Sequence, residues 1–171
     1  YLIELTPAPA SPDEATALIE TVSNSLSEGA ELIETQVSAD HKLIFAIIES
    51  ENTAFAPALT AAIGERASVV GPDEVRLVGA ELDDIKKLKK DADYLVEWDI
   101  PAEITMEQYL TRKKANAPKY AEVPEVSFLR TYVREDTAKC LCFYDAPDED
   151  AVLRARKAVS TPIDRLFKLH A

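Results

Sequence analysis

Two cysteines separated by one residue carry the most reactive chemistry in this sequence. Cys140 and Cys142 stand in the run Lys139 to Asp145, whose composition is typical of a β-strand. Side chains two residues apart in a strand share a face about 7 Å apart, too far for an easy disulfide. We interpret both as free thiols in a reducing compartment. A nucleophilic thiol needs a base or a positive neighbour, and no histidine is near in sequence, so buried, inert thiols are the favoured interpretation.

A second group of candidate residues combines an arginine with aromatic side chains. Strand alternation groups Phe128, Arg130 and Tyr132 on one face. Cys140, Cys142 and Tyr144 share a face of the next strand in the same way. If both faces are the open face of a sheet, they enclose a space that suits a small anionic or aromatic ligand. The alternative is a packed sheet interface in which Arg130 pairs with a carboxylate. The predicted ligand-binding residues are Trp98, Arg130, Tyr132, Cys142 and Tyr144.

Several kinds of catalytic and metal chemistry find no support in the sequence. The four glycines form no phosphate-binding loop, and neither a serine nucleophile elbow nor a zinc-protease motif occurs. The two histidines, His41 and His170, have no partner at metal-ligand spacing, and we interpret both as surface residues. We therefore predict no catalytic residues and no metal-binding residues.

The charge of the chain restricts its partners. With 19 Lys and Arg against 31 Asp and Glu, the 171 residues carry a formal net charge of −12. Such a surface repels nucleic-acid phosphates and anionic lipid heads. The longest apolar run, Leu43 to Ile48, is far shorter than the roughly 20 residues that span a bilayer. We expect a cytoplasmic protein that binds neither nucleic acid nor membranes, as a monomer or a small homo-oligomer.

Two parts of the chain repeat the same pattern. Tyr1-Leu2-Ile3-Glu4 corresponds to Tyr94-Leu95-Val96-Glu97, and Thr35-Gln36-Val37 corresponds to Thr131-Tyr132-Val133. We predict one repeat over 1–80, a linking helix within 81–92 and a second repeat over 93–171.

The elements of both repeats follow one order. In the second repeat, Thr105 is the predicted N-cap of a helix, and Pro147 lies at or near the first position of the next one. In the first repeat, Val75 to Val78 is the predicted final strand, and Leu82 to Lys90 forms the linking helix. The order β-α-β-β-α-β is the ferredoxin-like pattern, an α+β fold with two helices on one face of a four-stranded antiparallel sheet. Packing the two open faces sheet to sheet would form an intramolecular α/β barrel.

The second repeat resembles a known family. The segments that carry the resemblance are Cys140-Leu141-Cys142-Phe143-Tyr144-Asp145-Ala146-Pro147 and Pro162-Ile163-Asp164-Arg165. They are similar to a ferredoxin-like domain-of-unknown-function family in which some members are nickel-binding proteins. The resemblance makes nickel a candidate cofactor and implies histidines near the first strand and first helix, where this chain has Glu97-Trp98-Asp99 and Gln108-Tyr109-Leu110. The chain also resembles the wider dimeric α/β-barrel superfamily, which includes monooxygenases, isomerases and binding modules.

Two functional interpretations follow. The first is a non-catalytic binding or regulatory module that holds a small ligand or a metal between its two sheets, or contacts a protein partner. The second is a cofactor-independent barrel enzyme of the monooxygenase or isomerase type, with Arg130, Tyr132 and Tyr144 polarising a small anionic or aromatic substrate.

Overall fold

The computed structural model describes residues 1–88 and 91–169, which form two compact units. The first unit comprises Tyr1–Glu74 and Ile85–Leu88, and the second comprises Val75–Asp84 and residues 91–169. Each unit has its own antiparallel sheet, so the predicted α+β class with two ferredoxin-like repeats is confirmed. The packing of the sheets as a barrel stays a prediction.

The first unit contains a four-stranded sheet in the order β2-β3-β1-β4. Two helices cover one face of it, and Leu18 of the first helix packs with Ile3 and Ile44 of the strands in the core. Ser11 caps the first helix by accepting a hydrogen bond from the Glu14 backbone amide. The elements are β1 (Leu2–Pro7), α1 (Pro12–Ser25), β2 (Ala30–Val37), β3 (Ile44–Ser50), α2 (Ala56–Ile63) and β4 (Ala67–Asp73).

The second unit contains a five-stranded sheet in the order β5-β7-β8-β6-β9. Thr105 and Gln108 form the predicted capping box of α4, which fixes where that helix begins. Asp148 caps α5, because its carboxylate accepts a hydrogen bond from the Ala151 amide, so Pro147 precedes the cap and does not occupy the first helical position. The elements are β5 (Val75–Val78), β6 (Tyr94–Asp99), α4 (Met106–Asn116), a 3-10 segment (Ala117–Glu122), β7 (Ser127–Arg134), β8 (Lys139–Asp145), α5 (Glu149–Ala158) and β9 (Arg165–Lys168).

The assignment of Val75–Val78 as the final strand of the first repeat is wrong. This strand pairs with β7 in the second sheet, where Val78 packs against the second core. The first sheet is completed by Ala67–Asp73, a segment whose Gly71–Pro72 step resembles a turn in sequence. Gly71 has φ +102°, and a Cβ there would lie 2.5 Å from the Leu2 carbonyl oxygen, so only glycine allows this close approach.

The linking helix is shorter than predicted. It spans Leu82–Lys86, labelled α3, and Ile85 is its buried residue. Leu88 is half exposed, so the expected apolar face does not continue beyond Ile85. Lys89 and Lys90 lie outside the described residues. Among the helices of residues 1–88 and 91–169, none is long and apolar enough to cross a bilayer.

A buried carboxylate ties three strands of the second sheet together. The Glu97 side chain on β6 is only 2% exposed, and its Oε1 lies 2.9 Å from Lys139 Nζ on β8 and 2.7 Å from Arg165 Nη2 on β9. Burial alone would raise the Glu97 pKa, but the hydrogen bonds from Arg165 and Lys139 outweigh it and hold the pKa below its ordinary value.

We predict that Glu97→Gln lowers the free energy of unfolding at pH 7 by about 2 kcal/mol, because two cations lose their shared carboxylate. A carboxyl group whose pKa is lower in the folded state than in the unfolded state stabilises the fold at pH values above its unfolded-state pKa. This stabilisation is lost as the pH falls through the folded-state pKa. The difference between wild type and Glu97→Gln should therefore shrink below about pH 4. Urea denaturation at a series of pH values tests this pH dependence. Glu103→Gln is the control, because it replaces an exposed carboxylate. A difference that stays constant with pH would contradict it.

Candidate functional site

A pocket lies within the second unit, between the helix-covered face of the five-stranded sheet and the helices. Its volume is about 50 Å³, which is room for a few water molecules or one small ion. Strands β6, β7 and β8 form its floor, and α4, the 3-10 segment and α5 form its walls. We call it the thiol–arginine pocket; its lining residues are Trp98, Tyr109, Arg112, Lys113, Asn116, Ala117, Tyr120, Phe128, Cys140, Cys142, Arg156, Val159 and Thr161.

The charge of this pocket is opposite to that of the chain. Arg112, Lys113 and Arg156 line it, and none of its lining residues is Asp or Glu. The chain as a whole carries a net charge of −12. A cleft lined by one sign of charge, with low-dielectric walls, focuses the field and raises the local concentration of counter-ions. The pocket is therefore suited to anions.

Arg156 is the most deeply buried charge in the pocket. It stands on α5 and is 3% exposed. Its Nη2 donates to the Pro162 carbonyl oxygen at 2.7 Å, and its Nη1 lies 3.1 Å from Tyr144 Oη and 3.5 Å from Cys142 Sγ. Its Nε has no hydrogen-bond partner, and no carboxylate within residues 1–88 and 91–169 pairs with it. A buried charge is normally paired, and this guanidinium faces a thiol and a hydroxyl instead of a carboxylate.

Tyrosine hydroxyls complete the polar network beside Arg156. Tyr120 Oη and Tyr144 Oη lie 2.6 Å apart, and the Tyr144 hydroxyl also accepts from Arg156. Burial raises the pKa of Tyr120 to about 12 and raises that of Tyr144 well above its ordinary value. Both hydroxyls are therefore neutral near pH 7 and do not neutralise the guanidinium.

The two thiols differ in their surroundings. Cys142 Sγ accepts from Thr131 Oγ1 at 3.2 Å and faces Arg156. A hydrogen bond from Cys140, together with Lys113 and Arg156, lowers the pKa of Cys142 well below its usual range despite burial. The same hydrogen bond, together with burial, raises the pKa of Cys140. Cys142 is therefore the more acidic of the two thiols.

Aromatic rings and two cations form the outer part of the pocket. Lys113 Nζ lies 4.4 Å from the centre of the Phe128 ring, and the Arg112 guanidinium lies 5.6 Å from the centre of the Trp98 ring. Tyr120 stacks on Phe128 with ring centres 5.4 Å apart. These cation–π contacts hold positive charge at the entrance while the rings exclude water.

The five predicted ligand-binding residues lie on both faces of the second sheet. Trp98, Cys142 and Tyr144 belong to the helix-covered core, whereas Arg130 lies over the Phe143 ring at 4.9 Å and Tyr132 contacts that ring edge to face at 5.9 Å. The physical reason is a β-bulge: Phe128 opposes Tyr144 but Arg130 opposes Phe143. The extra residue reverses the alternation, so Phe128 does not share a face with Arg130. The expectation of one shared face is therefore corrected, while the ligand role of the five residues stays a prediction.

Three residues of the pocket were not among the predicted site residues: Arg156, Lys113 and Tyr120. A signal for Arg156 was present, because the buried residues of α5 are Ala151, Val152, Ala155 and Arg156. An arginine within the apolar stripe of a helix indicates a buried charge with a specific role. The positive neighbour of the Cys142 thiol is Arg156.

The described residues offer no clear metal centre. Residues 1–88 and 91–169 contain no group of three or more His, Cys, Asp or Glu side chains that could hold a metal ion. His41 lies in the first unit, in the turn between β2 and β3, and His170 lies outside the described residues. The two thiols of the pocket are surrounded by three cations, which oppose the approach of a divalent cation.

Comparisons with known proteins identify relatives of the second repeat and of the whole fold. Residues 94–169 match the model of the family described as "Nickel responsive protein SCO4226-like". The predicted resemblance of the second repeat to a family with nickel-binding members is therefore confirmed. No curated protein matches the chain.

Solved structures extend the comparison. SCO4226 from Streptomyces coelicolor A3(2) is 16% identical, with a TM-score of 0.40 over 47% of this chain and 98% of that one. The chlorite dismutase-like protein TA0507 is 13% identical, with a TM-score of 0.52 over 99% of this chain and 94% of that one. The monooxygenase-like protein FN1347 of Fusobacterium nucleatum is 13% identical, with a TM-score of 0.56 over 99% of this chain and 90% of that one. The last two likenesses show the tandem ferredoxin-like fold, and at these identities they show the fold alone.

We predict that Tyr144→Phe lowers the free energy of unfolding by about 1–2 kcal/mol, because Arg156 and Tyr120 both lose a buried hydrogen-bond partner. Tyr94→Phe is the matched control, since Tyr94 is the cross-strand neighbour of Tyr144 in the same core and its hydroxyl has no hydrogen bond among the described residues. The control should change stability by less than about 0.5 kcal/mol. Equal effects of the two variants in urea denaturation would contradict the network.

Proposed function

We propose that this protein is a non-catalytic binding module whose second unit holds a small anion in the thiol–arginine pocket. The observation that carries the proposal is Arg156, a guanidinium 3% exposed, with an Nε that no hydrogen-bond acceptor reaches in the described chain. A buried donor on a buried charge is costly unless a ligand satisfies it. An anion beside Arg156 would supply the acceptor that its Nε lacks.

The size of the pocket limits the ligand. A volume of about 50 Å³ is far below the several hundred Å³ of pockets that hold drug-sized molecules or cofactors. The class that fits is a small oxyanion, a halide or a short carboxylate. Lys113 and Arg112 at the entrance would attract such ions, and the aromatic walls would strengthen the electrostatic contact by excluding water.

Nickel is the second candidate ligand, because residues 94–169 match a family described as nickel responsive. The donor set argues against it at this pocket, since the two thiols face cations and the described residues form no larger metal-ligand group. We therefore infer that anions are bound here in preference to nickel. A protein partner remains a further prediction of the binding-module interpretation.

The enzyme alternative draws its support from the fold of the monooxygenase-like and chlorite dismutase-like neighbours. Its predicted substrate-polarising set was Arg130, Tyr132 and Tyr144. The bulge places Tyr144 on the opposite face of the sheet from the other two, so these three side chains do not converge on one substrate. A barrel-type enzyme would therefore need a different set of residues.

Anion titration tests the proposal. In a thermal-shift experiment at constant ionic strength, nitrate, sulfate, bromide and acetate are the probes, and at least one should raise the Tm saturably by mass action. Arg156→Gln should abolish this rise, because it removes the buried charge. Lys157→Gln is the matched control, since it removes the same charge from the exposed neighbouring position of α5.

A milder variant keeps the experiment informative if Arg156→Gln folds poorly. Lys113→Gln at the entrance should weaken the same anion about fivefold, which corresponds to about 1 kcal/mol for a partly exposed charge. Equal anion affinity in wild type, Arg156→Gln and Lys113→Gln, or no saturable shift with any probe, would contradict the proposal.

Nickel is tested separately. Native mass spectrometry after incubation with nickel sulfate and buffer exchange should give the mass of the metal-free chain. Uptake of one nickel ion per chain that is lost in the Cys140→Ser or Cys142→Ser variant would contradict our preference for anions in this pocket. If that uptake persisted in the Cys140→Ser and Cys142→Ser variants, the metal would lie outside the thiol–arginine pocket.

A further inference from the structure

The second thiol of the pocket has chemistry that anion binding does not use. Cys142 is 1% exposed overall, yet its side chain forms part of the pocket wall. It is the thiol that both Thr131 and Arg156 approach, at 3.2 Å and 3.5 Å from Sγ. A small molecule that enters the pocket therefore meets this sulfur beside a guanidinium.

Charged and titratable groups face Cys142 from each of the elements packed against it. Arg156 faces it from α5, Lys113 and Tyr109 from α4, Tyr120 from the 3-10 segment, and Cys140 and Tyr144 from its own strand. None of these groups is a carboxylate, and burial raises the pKa values of Tyr109, Tyr120 and Tyr144. The acid that ionises most readily beside the buried guanidinium is consequently the Cys142 thiol. A thiolate is the nucleophilic form of cysteine, and a positive neighbour is what stabilises it.

We propose that Cys142 is a reactive thiolate, paired with Arg156, and that it is the site of oxidation by small hydroperoxides that enter the thiol–arginine pocket. The sulfur attacks the terminal oxygen of the hydroperoxide, an S–O bond forms and the O–O bond breaks. The sulfur loses two electrons, the peroxide gains them, and the departing alkoxide or hydroxide takes one proton from solvent. The products are a sulfenic acid on Cys142 and one alcohol or water molecule.

The fate of the oxidised sulfur follows from the strand geometry. Cys140 and Cys142 are two residues apart in β8, so their Cα atoms lie about 7 Å apart, beyond the usual Cα separation of a disulfide. Cys140 is therefore a poor partner for resolving the sulfenic acid as a disulfide. The ionised form of the sulfenic acid is itself a small oxyanion beside Arg156. Oxidation of Cys142 would therefore place in the pocket the kind of group that we propose the pocket binds.

The test compares two single-thiol variants with hydrogen peroxide as the probe. Cys140→Ser keeps Cys142 and retains a hydroxyl donor at position 140, whereas Cys142→Ser keeps only Cys140. Intact-mass spectrometry of the folded variants should show that Cys140→Ser gains one oxygen atom at least about tenfold faster than Cys142→Ser. The oxidation rate of Cys140→Ser should be nearly constant between about pH 6 and 8. The rate of an ordinary thiol rises over this range, because its pKa lies near 8.5.

The role of the guanidinium is tested in the Cys140→Ser background. Arg156→Lys should keep the flat pH profile, because it retains the charge, and Arg156→Gln should move the midpoint upward and slow the reaction at pH 6. In the wild type, peptide mapping should locate the added oxygen on Cys142. Similar rates for the two single-thiol variants, a midpoint at the ordinary value, or oxidation located on Cys140 would overturn the proposal. Because these readouts need no added anion, they succeed or fail independently of the anion titration.

Discussion

Arg156 is a full positive charge inside an apolar core, and much of the second unit is arranged around it. The guanidinium is satisfied by the Pro162 carbonyl oxygen, the Tyr144 hydroxyl and the Cys142 sulfur, but not by a carboxylate. These partners come from β8 and from the segment after α5, so the same charge links the helix to the sheet. A network of this kind gives a unique arrangement only when all of its members are satisfied. Arg156 Nε has no partner among the described residues, and the anion that we propose would complete the network there.

The β-bulge between Phe128 and Arg130 determines which side chains can act together. It turns Phe128 toward Tyr120 and Tyr144, and the three rings contact one another beside the pocket. It turns Arg130 to the other face, over Phe143. A single extra residue in β7 therefore divides the side chains of one strand between a helix-covered pocket and a separate aromatic cluster.

Sequence patterns predicted the order of elements well because those patterns act locally. Thr105 and Gln108 form their capping box within four residues, and alternation in Tyr94–Asp99 is a property of one strand. The strand Val75–Val78 was assigned to the wrong sheet, because its pairing with β7 depends on residues far away in sequence. The prediction that Phe128, Arg130 and Tyr132 share one face of the sheet was also wrong, because a bulge cannot be recognised from strict alternation. Arg156 could have been found from its place in the apolar stripe of α5.

Anomalous diffraction from bromide tests whether the pocket beside Arg156 holds an anion. Crystals of the protein soaked in bromide should show an anomalous peak inside the pocket, within hydrogen-bond distance of the Arg156 guanidinium. Bromide has the size and charge that a cavity of about 50 Å³ with three cations accepts. Peaks confined to exposed lysines and arginines, with none beside Arg156, would contradict the account.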